Sequence, residues 1–596
     1  MKNRIVSISL AIVLALSVGL IGCGSEEVPE YNLTISSTEG GSVTGPGEGT
    51  FTYDEVTVVN LVAEPDEGYQ FVNWTGDVAT IGNVNAATTI ITTNGNYEIT
   101  ANFKQTPPIT FAIAGPMTEM PGKNHWWGAE LARDEINAGA SVNVGGVYHK
   151  IELVQVDTNE VSGAPGEAVA ALQAVIDDVD FVLGGFTAAN VVVYREVAMD
   201  VQKIFMSCGI AAGFLQYSVV KDYDRYKYWF ASTPYNESFL ITSLFKMTAT
   251  IGTVLKNALL AEGDAVAEDC MVPEDGKLRL AILVENAEWC VGTGHNLAIA
   301  AQYYLPLLGF NVTGTWLVSP TATDISTELS AIAATRPHII FTGFRGPLSI
   351  VYSSQRVELG IPAMTIGINA IEGQQKSHWA NTQGKCDGEV MLDTWAEGLQ
   401  KSARTTTFFN AFVAKTGEYP LYSASTYDAI YQLKEAIEAV SATHDWDDIA
   451  DVVDPANVDA LIQYLETSSY TGAAGKNAYY PMPDVDLGGG VYALSEAQVS
   501  ERHDLASYGK SYDQNQWLCG YVSGVQKPHI AHDLVYGPGY YAGIGCQWQD
   551  GHKVGIWPID FEDASDAALT DQYGCWNFEY PGTVDVVIPI EGFLGS

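Results

Sequence analysis

Arg345 offers a planar fork of donors suited to a carboxylate, and Asp324 an acceptor suited to a cation. Trp289 and Phe344 add apolar or π surface for the body of a small organic molecule. Each follows an apolar, strand-like run, as do Met120, Thr158, Thr187, Ala188, Gly209, Ala211 and Asn369, while Tyr235 follows a run that reads as a crossover. In an open α/β sheet the carboxyl ends of strands and the amino ends of the next helices converge, so unpaired backbone amides point into a crevice suited to small anions. Thr187 brings a hydroxyl beside such amides, and the Gly209 carbonyl can accept from an ammonium. The chemistry these residues predict is capture of a small polar molecule, with no bond made or broken.

Spacing points away from catalysis and metals. No CxxC or HExxH occurs, and no G-x-S-x-G elbow. The ten histidines are scattered without a nucleophile or carboxylate partner that spacing would single out. Residues 472–477 have glycines too close together for a phosphate loop and lack a Ser or Thr after the lysine, and Asp484 with Asp486 does not complete a calcium loop. No catalytic residue, cofactor or metal is therefore expected. With 71 acidic against 29 basic residues and a formal net charge of -42, the chain lacks the basic footprint that nucleic acid requires.

The elements that must position the candidates are preceded by a targeting segment. Lys2 and Arg4 stand before an apolar run over 5–21, which reads as a secretory leader. Its end, Leu20-Ile21-Gly22-Cys23, resembles the bacterial lipobox, which implies cleavage after residue 22 and lipidation of Cys23. Two acyl chains hold a protein at a membrane where one does not, so residues 23–30 are expected to form a tether from the extracytoplasmic side of a bacterial membrane. Seven further cysteines remain, an odd count; Cys270 with Cys290 and Cys519 with Cys546 are spaced so as to allow disulfides, but spacing assigns none.

Residues 31–104 alternate short β-rich runs with Gly, Pro and Asn and show no helical period, so a small all-β or β-grasp-like module is expected. Gly40-Gly41, Gly49-Thr50-Phe51, Gly68-Tyr69-Gln70-Phe71, Trp74 and Ala101-Asn102-Phe103 follow in an order that resembles a divergent internalin-type B repeat. Gly68 is expected at a turn, and Phe71, Trp74 and Phe103 in a core too small to do without its aromatics. Residues 105–108 read as a linker.

From residue 109 strands alternate with amphipathic helices, which predicts parallel sheets covered on both faces. Apolar runs at 109–115, 150–156, 181–184 and 204–207 make one doubly wound, Rossmann-like lobe, and runs at 278–285, 312–318 and 338–342 a second. Crossings are expected at 226–234 and 362–367, which would give lobe 1 about 109–230 and 365–470, and lobe 2 about 235–362 with the C-terminal part. The order of Ile109-Thr110-Phe111-Ala112-Ile113-Ala114-Gly115-Pro116, Gly128-Ala129-Glu130, Asp134-Glu135-Ile136-Asn137-Ala138, Phe181-Val182-Leu183-Gly184-Gly185 and Leu280-Ala281-Ile282-Leu283 resembles type I periplasmic binding proteins of the branched-chain amino-acid branch. An insertion over 485–527 separates residues 472–476 from the closing segments at 532–537 and 547–551.

The resemblance implies a two-lobed receptor that closes on a small-molecule ligand (an amino acid, amide or short carboxylate) and hands it to the permease subunits of an ABC transporter. It also implies a ligand-carboxylate clamp made by a serine opening the third helix and a threonine after the fourth strand. Ala188 and Ala211 stand at those places, so the usual α-amino-acid clamp is incomplete. A surface sensory or adhesion protein using the same ligand-binding domain is the alternative reading.

Overall fold

The computed structural model describes residues 28–66, 68–160, 164–233, 237–291, 297–444, 446, 448–479, 485–488, 491–493, 543–557 and 583–594. The leader with Cys23, Tyr235, Cys519, Cys575 and most of the insertion over 485–527 lie outside them. The chain divides into two compact units, Met1–Thr106 and Pro107–Ser596.

The described residues of the first unit are all β. Its strands are β1 (Glu30–Ser37), β2 (Gly41–Gly45), β3 (Gly49–Asp54), β4 (Thr57–Pro65), β5 (Tyr69–Gly76), β6 (Thr88–Thr93) and β7 (Tyr97–Gln105), arranged as sheets of order β3-β1-β7-β5 and β2-β4-β6. Alternation along the strands sends Leu33, Ile35, Leu61, Trp74, Ile91, Ile99 and Phe103 into one core. Phe71 packs on Phe103 and Trp74 with ring centroids 5.9 and 5.7 Å apart, and Trp74 Nε1 donates to the Ala86 carbonyl at 3.1 Å. Gly68 sits at the expected turn with φ +81°.

The second unit opens with β8 (Ile109–Gly115), α1 (Met120–Ala138), the hairpin of β9 (Val142–Val144) and β10 (Val147–His149), and β11 (Ile151–Asp157). Then come α2 (Pro165–Gln173), β12 (Phe181–Gly184), α3 (Ala188–Asp200), β13 (Phe205–Ser207), α4 (Gly213–Lys221), α5 (Tyr223–Tyr226) and β14 (Trp229–Ala231). The five strands form one parallel sheet of order β11-β8-β12-β13-β14. Both of its faces are covered, so β8 and β12 are almost wholly buried and read as continuous apolar runs.

The chain crosses into a second sheet through α6 (Glu237–Glu262). There follow β15 (Leu278–Glu285), α7 (Glu288–Val291), α8 (Leu297–Leu307), β16 (Phe310–Val318), α9 (Ser326–Ala333), β17 (Ile339–Arg345), α10 (Leu348–Glu358), β18 (Met364–Ala370), α11 (Ser377–Asn381) and β19 (Val390–Asp393). The return expected at 362–367 is corrected here: β18 pairs with β17 along its full length and β19 with β18, so the chain leaves this sheet only after Asp393. The strand register that keeps 364–370 in the second lobe is long-range and has no local signature.

After the return, α12 (Thr405–Thr416) and α13 (Thr426–Ser441) pack on α1, followed by α14 (Ile449–Val453), α15 (Val458–Thr467) and the hairpin of β20 (Ser469–Thr471) and β21 (Lys476–Ala478). Gly128 of α1 allows this approach, because a Cβ there would stand 2.6 Å from the Ala424 carbonyl and 2.7 Å from Thr426 Oγ1. A short hairpin, β22 (Val485–Gly488) with β23 (Val491–Ala493), precedes β24 (Ile544–Gln549) and β25 (His552–Trp557). These last two extend the second sheet antiparallel, giving the order β16-β15-β17-β18-β19-β24-β25.

Candidate functional site

Strand order reverses between β8 and β12 in the first sheet and between β15 and β17 in the second, and ligands of open α/β sheets bind at such switch points. At the first, the loop after β11 carries Thr158 and Glu160, both buried. Glu160 reaches forward to the turn that enters α3. Its Oε2 accepts from the backbone amides of Phe186 (3.2 Å) and Thr187 (2.5 Å) and from the Thr187 hydroxyl (3.0 Å). Its Oε1 accepts from Thr158 Oγ1 at 2.8 Å and from the Tyr194 hydroxyl at 3.3 Å. Burial pushes the Glu160 carboxyl above its ordinary range, while the hydrogen bonds from Thr187, Thr158 and Phe186 pull it back.

These bonds correct one expectation. Thr187 is the N-cap residue of α3, yet its hydroxyl makes no capping bond, and the amides of Phe186 and Thr187 are not free. They are taken by Glu160. Ala188 and Ala211 are half-buried, Ala188 as the first residue of α3. Gly209 is buried where a Cβ would stand 2.5 Å from the Gly185 carbonyl and 2.7 Å from the His125 ring. His125 itself donates from Nδ1 to the Ser423 carbonyl at 2.8 Å, tying α1 to the segment before α13. Met120 is half-buried as the first residue of α1, with Pro121 in that first turn, where its missing N–H costs nothing.

The second switch point also holds a buried carboxylate on a backbone amide, here at a strand end. Glu285 ends β15 fully buried; it accepts from the Arg345 backbone amide at 3.0 Å and from Trp289 Nε1. Burial raises its carboxyl, and the Trp289 and Arg345 donors with the Arg345 charge lower it. Arg345 ends β17 with an exposed side chain, and Trp289 is half-buried. Asn369 is fully buried near the end of β18; its Oδ1 accepts from Thr342 at 3.3 Å, and its Nδ2 is a buried donor with no partner among the described residues.

Two candidates of this lobe are corrected. Phe344 does not face a crevice: side chains alternate along β17, and Phe344 points into the core against Tyr352, 5.2 Å between centroids. Asp324 is fully exposed and spends its carboxylate on the Ser326 amide at 2.9 Å at the start of α9, which holds it below the usual carboxylate range. Tyr235 lies outside the described residues.

Tyr422, in the turn Tyr422–Ser425 that leads into α13, lies within the field of both switch points. Burial raises its hydroxyl, the Arg345 charge from the second sheet lowers it, and the Glu160 charge from the first raises it. Sequence reasoning missed Glu160, Glu285 and Tyr422. Among the described residues no cluster of three or more His, Cys, Asp or Glu could hold a metal, and Cys208, Cys270, Cys290, Cys386 and Cys546 are free and buried. No helix among them is long and apolar enough to cross a membrane.

A family model described as periplasmic binding protein matches residues 109–484, and one described as divergent InlB B-repeat domain matches residues 31–107. The chain belongs to the periplasmic binding protein family, with a divergent InlB B-repeat ahead of the binding domain. Among solved structures it is similar to a putative branched-chain amino acid ABC transporter from Silicibacter pomeroyi, at 16% identity and a TM-score of 0.51, over 76% of this chain and 96% of that one. A solute binding protein of an ABC transporter from R. palustris, in complex with benzoate, is 14% identical over 75% of this chain and 95% of its own, with a TM-score of 0.49. The branched-chain amino acid transporter substrate binding protein of Streptococcus pneumoniae, in complex with isoleucine, is 16% identical over 62% and 91%, with a TM-score of 0.45. At these identities the likeness is one of fold. No curated protein matches the chain.

Proposed function

We propose that this chain is the extracytoplasmic solute-binding lipoprotein of an ABC transporter, held at the membrane through Cys23 and delivering a small polar organic ligand to permease subunits. The reading is carried by the pair of switch points, one in each parallel sheet of a domain that belongs to the periplasmic binding protein family. A solute lodged there touches both lobes, and its differential contacts with the open and closed forms drive closure. Membership of the periplasmic binding protein family supports an extracytoplasmic binding role. Amino acids, amides and short carboxylates are the ligand classes to screen.

The test is a thermal-shift and calorimetry panel of those classes on the mature protein. A ligand at a hundred times its Kd adds about 2.7 kcal/mol of stability. A broad panel with no binder, together with one scattering profile under every solute, refutes the reading. The anchor is tested separately: Cys23→Ala is expected to lose incorporation of labelled fatty acid and to move from the detergent to the aqueous phase, and unchanged labelling refutes it.

A further inference from the structure

We propose that Glu160 determines ligand specificity by serving as a built-in anion at the amino end of α3, so that the captured molecule brings an uncharged or cationic group, never a carboxylate, to the first sheet. The inference rests on the receptor reading above and narrows its ligand class. Five donors converge on the Glu160 carboxylate: two backbone amides of the turn into α3, the hydroxyls of Thr187 and Thr158, and Tyr194. A carboxylate has about four lone-pair sites, so this one is saturated by the protein and leaves no amide of Phe186 or Thr187 for an external anion. A ligand carboxylate beside it would meet a buried like charge, which costs far more at low dielectric than in water.

A second observation is that the other lobe also holds a buried carboxylate on a backbone amide. Glu285 takes the Arg345 amide at the end of β17, the strand equivalent to β12 in the order of its sheet. Both switch points thus hold a carboxylate of the protein on backbone amides, two in the first lobe and one in the second. The exposed guanidinium of Arg345 is the cation left to the second lobe's switch point among the residues described above. An acidic end of the ligand is therefore received by the second lobe, and the first lobe receives the end that carries none.

The test uses the mature chain with formate and acetate as probes. Wild type is expected to bind them only weakly by calorimetry, through Arg345, while Glu160→Ala, shown to be folded by circular dichroism, is expected to bind them on the order of tenfold more tightly or better, the gain from freeing two amide donors. Either anion is also expected to raise the melting temperature of Glu160→Ala more than that of wild type. Equal anion affinity in the two proteins overturns the proposal. Should Glu160→Ala fail to fold, wild-type crystals soaked in formate decide the matter: an anion on the Phe186 and Thr187 amides with Glu160 displaced overturns it, and Glu160 holding those amides with no anion beside them supports it. Anion gain is read without the native solute, so failure here is distinct from failure of the solute panel.

Discussion

Acid should loosen the first lobe through His125. The imidazole is fully buried at the start of α1, packed where Gly115 and Gly209 have no Cβ, and hydrogen-bonded to a carbonyl 298 residues away. Burial lowers its pKa from 6.5 to about 4, against the backbone hydrogen bonds of Ser423 and Gly185, which raise it. A folded pKa below the unfolded one means that between pH 6.5 and 4 the unfolded chain binds a proton that the fold does not. The stability is fully present above pH 6.5 and is lost as the pH falls towards 4. The gap from 6.5 to about 4, at about 1.4 kcal/mol per pH unit, amounts to about 3 kcal/mol.

His338 and His378 are also lowered to about 4, whereas Asp428 is raised to about 6 and Glu389 to about 7, so the acid profile of the whole protein sums opposing contributions. The informative quantity is the difference between wild type and His125→Asn, whose side-chain amide can donate to Ser423 but does not titrate. Urea unfolding from pH 7 to pH 4 should show wild type losing about 3 kcal/mol more than the variant. Parallel curves would refute the argument, since they would mean that His125 takes up its proton equally in the folded and unfolded chains.

Three further outcomes are expected. Trp74→Ala removes a buried indole from a module with little core to spare and should cost about 3 kcal/mol or more, unfolding the module by near-ultraviolet dichroism while solute binding by the second unit persists. Lys553 and Asp393 form an ion pair buried on both sides, with Lys553 Nζ also donating to the Gln374 carbonyl at 2.6 Å. Lys553→Met should therefore lower stability by about 3 kcal/mol or more by denaturant titration, and adding Asp393→Leu should restore much of it, since the cost lies in the stranded charge. Arg345→Ala should weaken an acidic ligand by on the order of tenfold in calorimetry and leave a neutral one unaffected; unchanged affinity for the acid removes Arg345 from the site.

Much of the scaffold was legible because a parallel strand covered on both faces is written as an uninterrupted apolar run, as at 109–115 and 278–285. The candidates Thr158, Thr187, Gly209 and Arg345 stand at or just after the carboxyl ends of such strands. Parity within a strand was not legible. Phe344 and Arg345 are neighbours, one in the core and one in solvent, and only the pairing of β17 with β15 and β18 decides which is which. The late return after β19 was hidden for a related reason: β24, the strand beside β19 in that sheet, pairs with it across more than 150 positions of sequence.

Glu160 was missed because its partners lie 26 and 27 residues further on, and a single acidic residue after a strand reads as a solvated turn. A signal for it existed all the same. Ala188 and Ala211 take away the hydroxyls that the resemblance places around an external carboxylate, and an amide-lined turn stripped of those hydroxyls still needs a negative partner if it is buried. Where a sequence loses the ligands of an anion site and keeps the fold that makes one, the physical expectation is that a side chain has moved in. The first acidic residue after Asp157, in the loop beside that turn, was the one to ask about, and it is the residue found there.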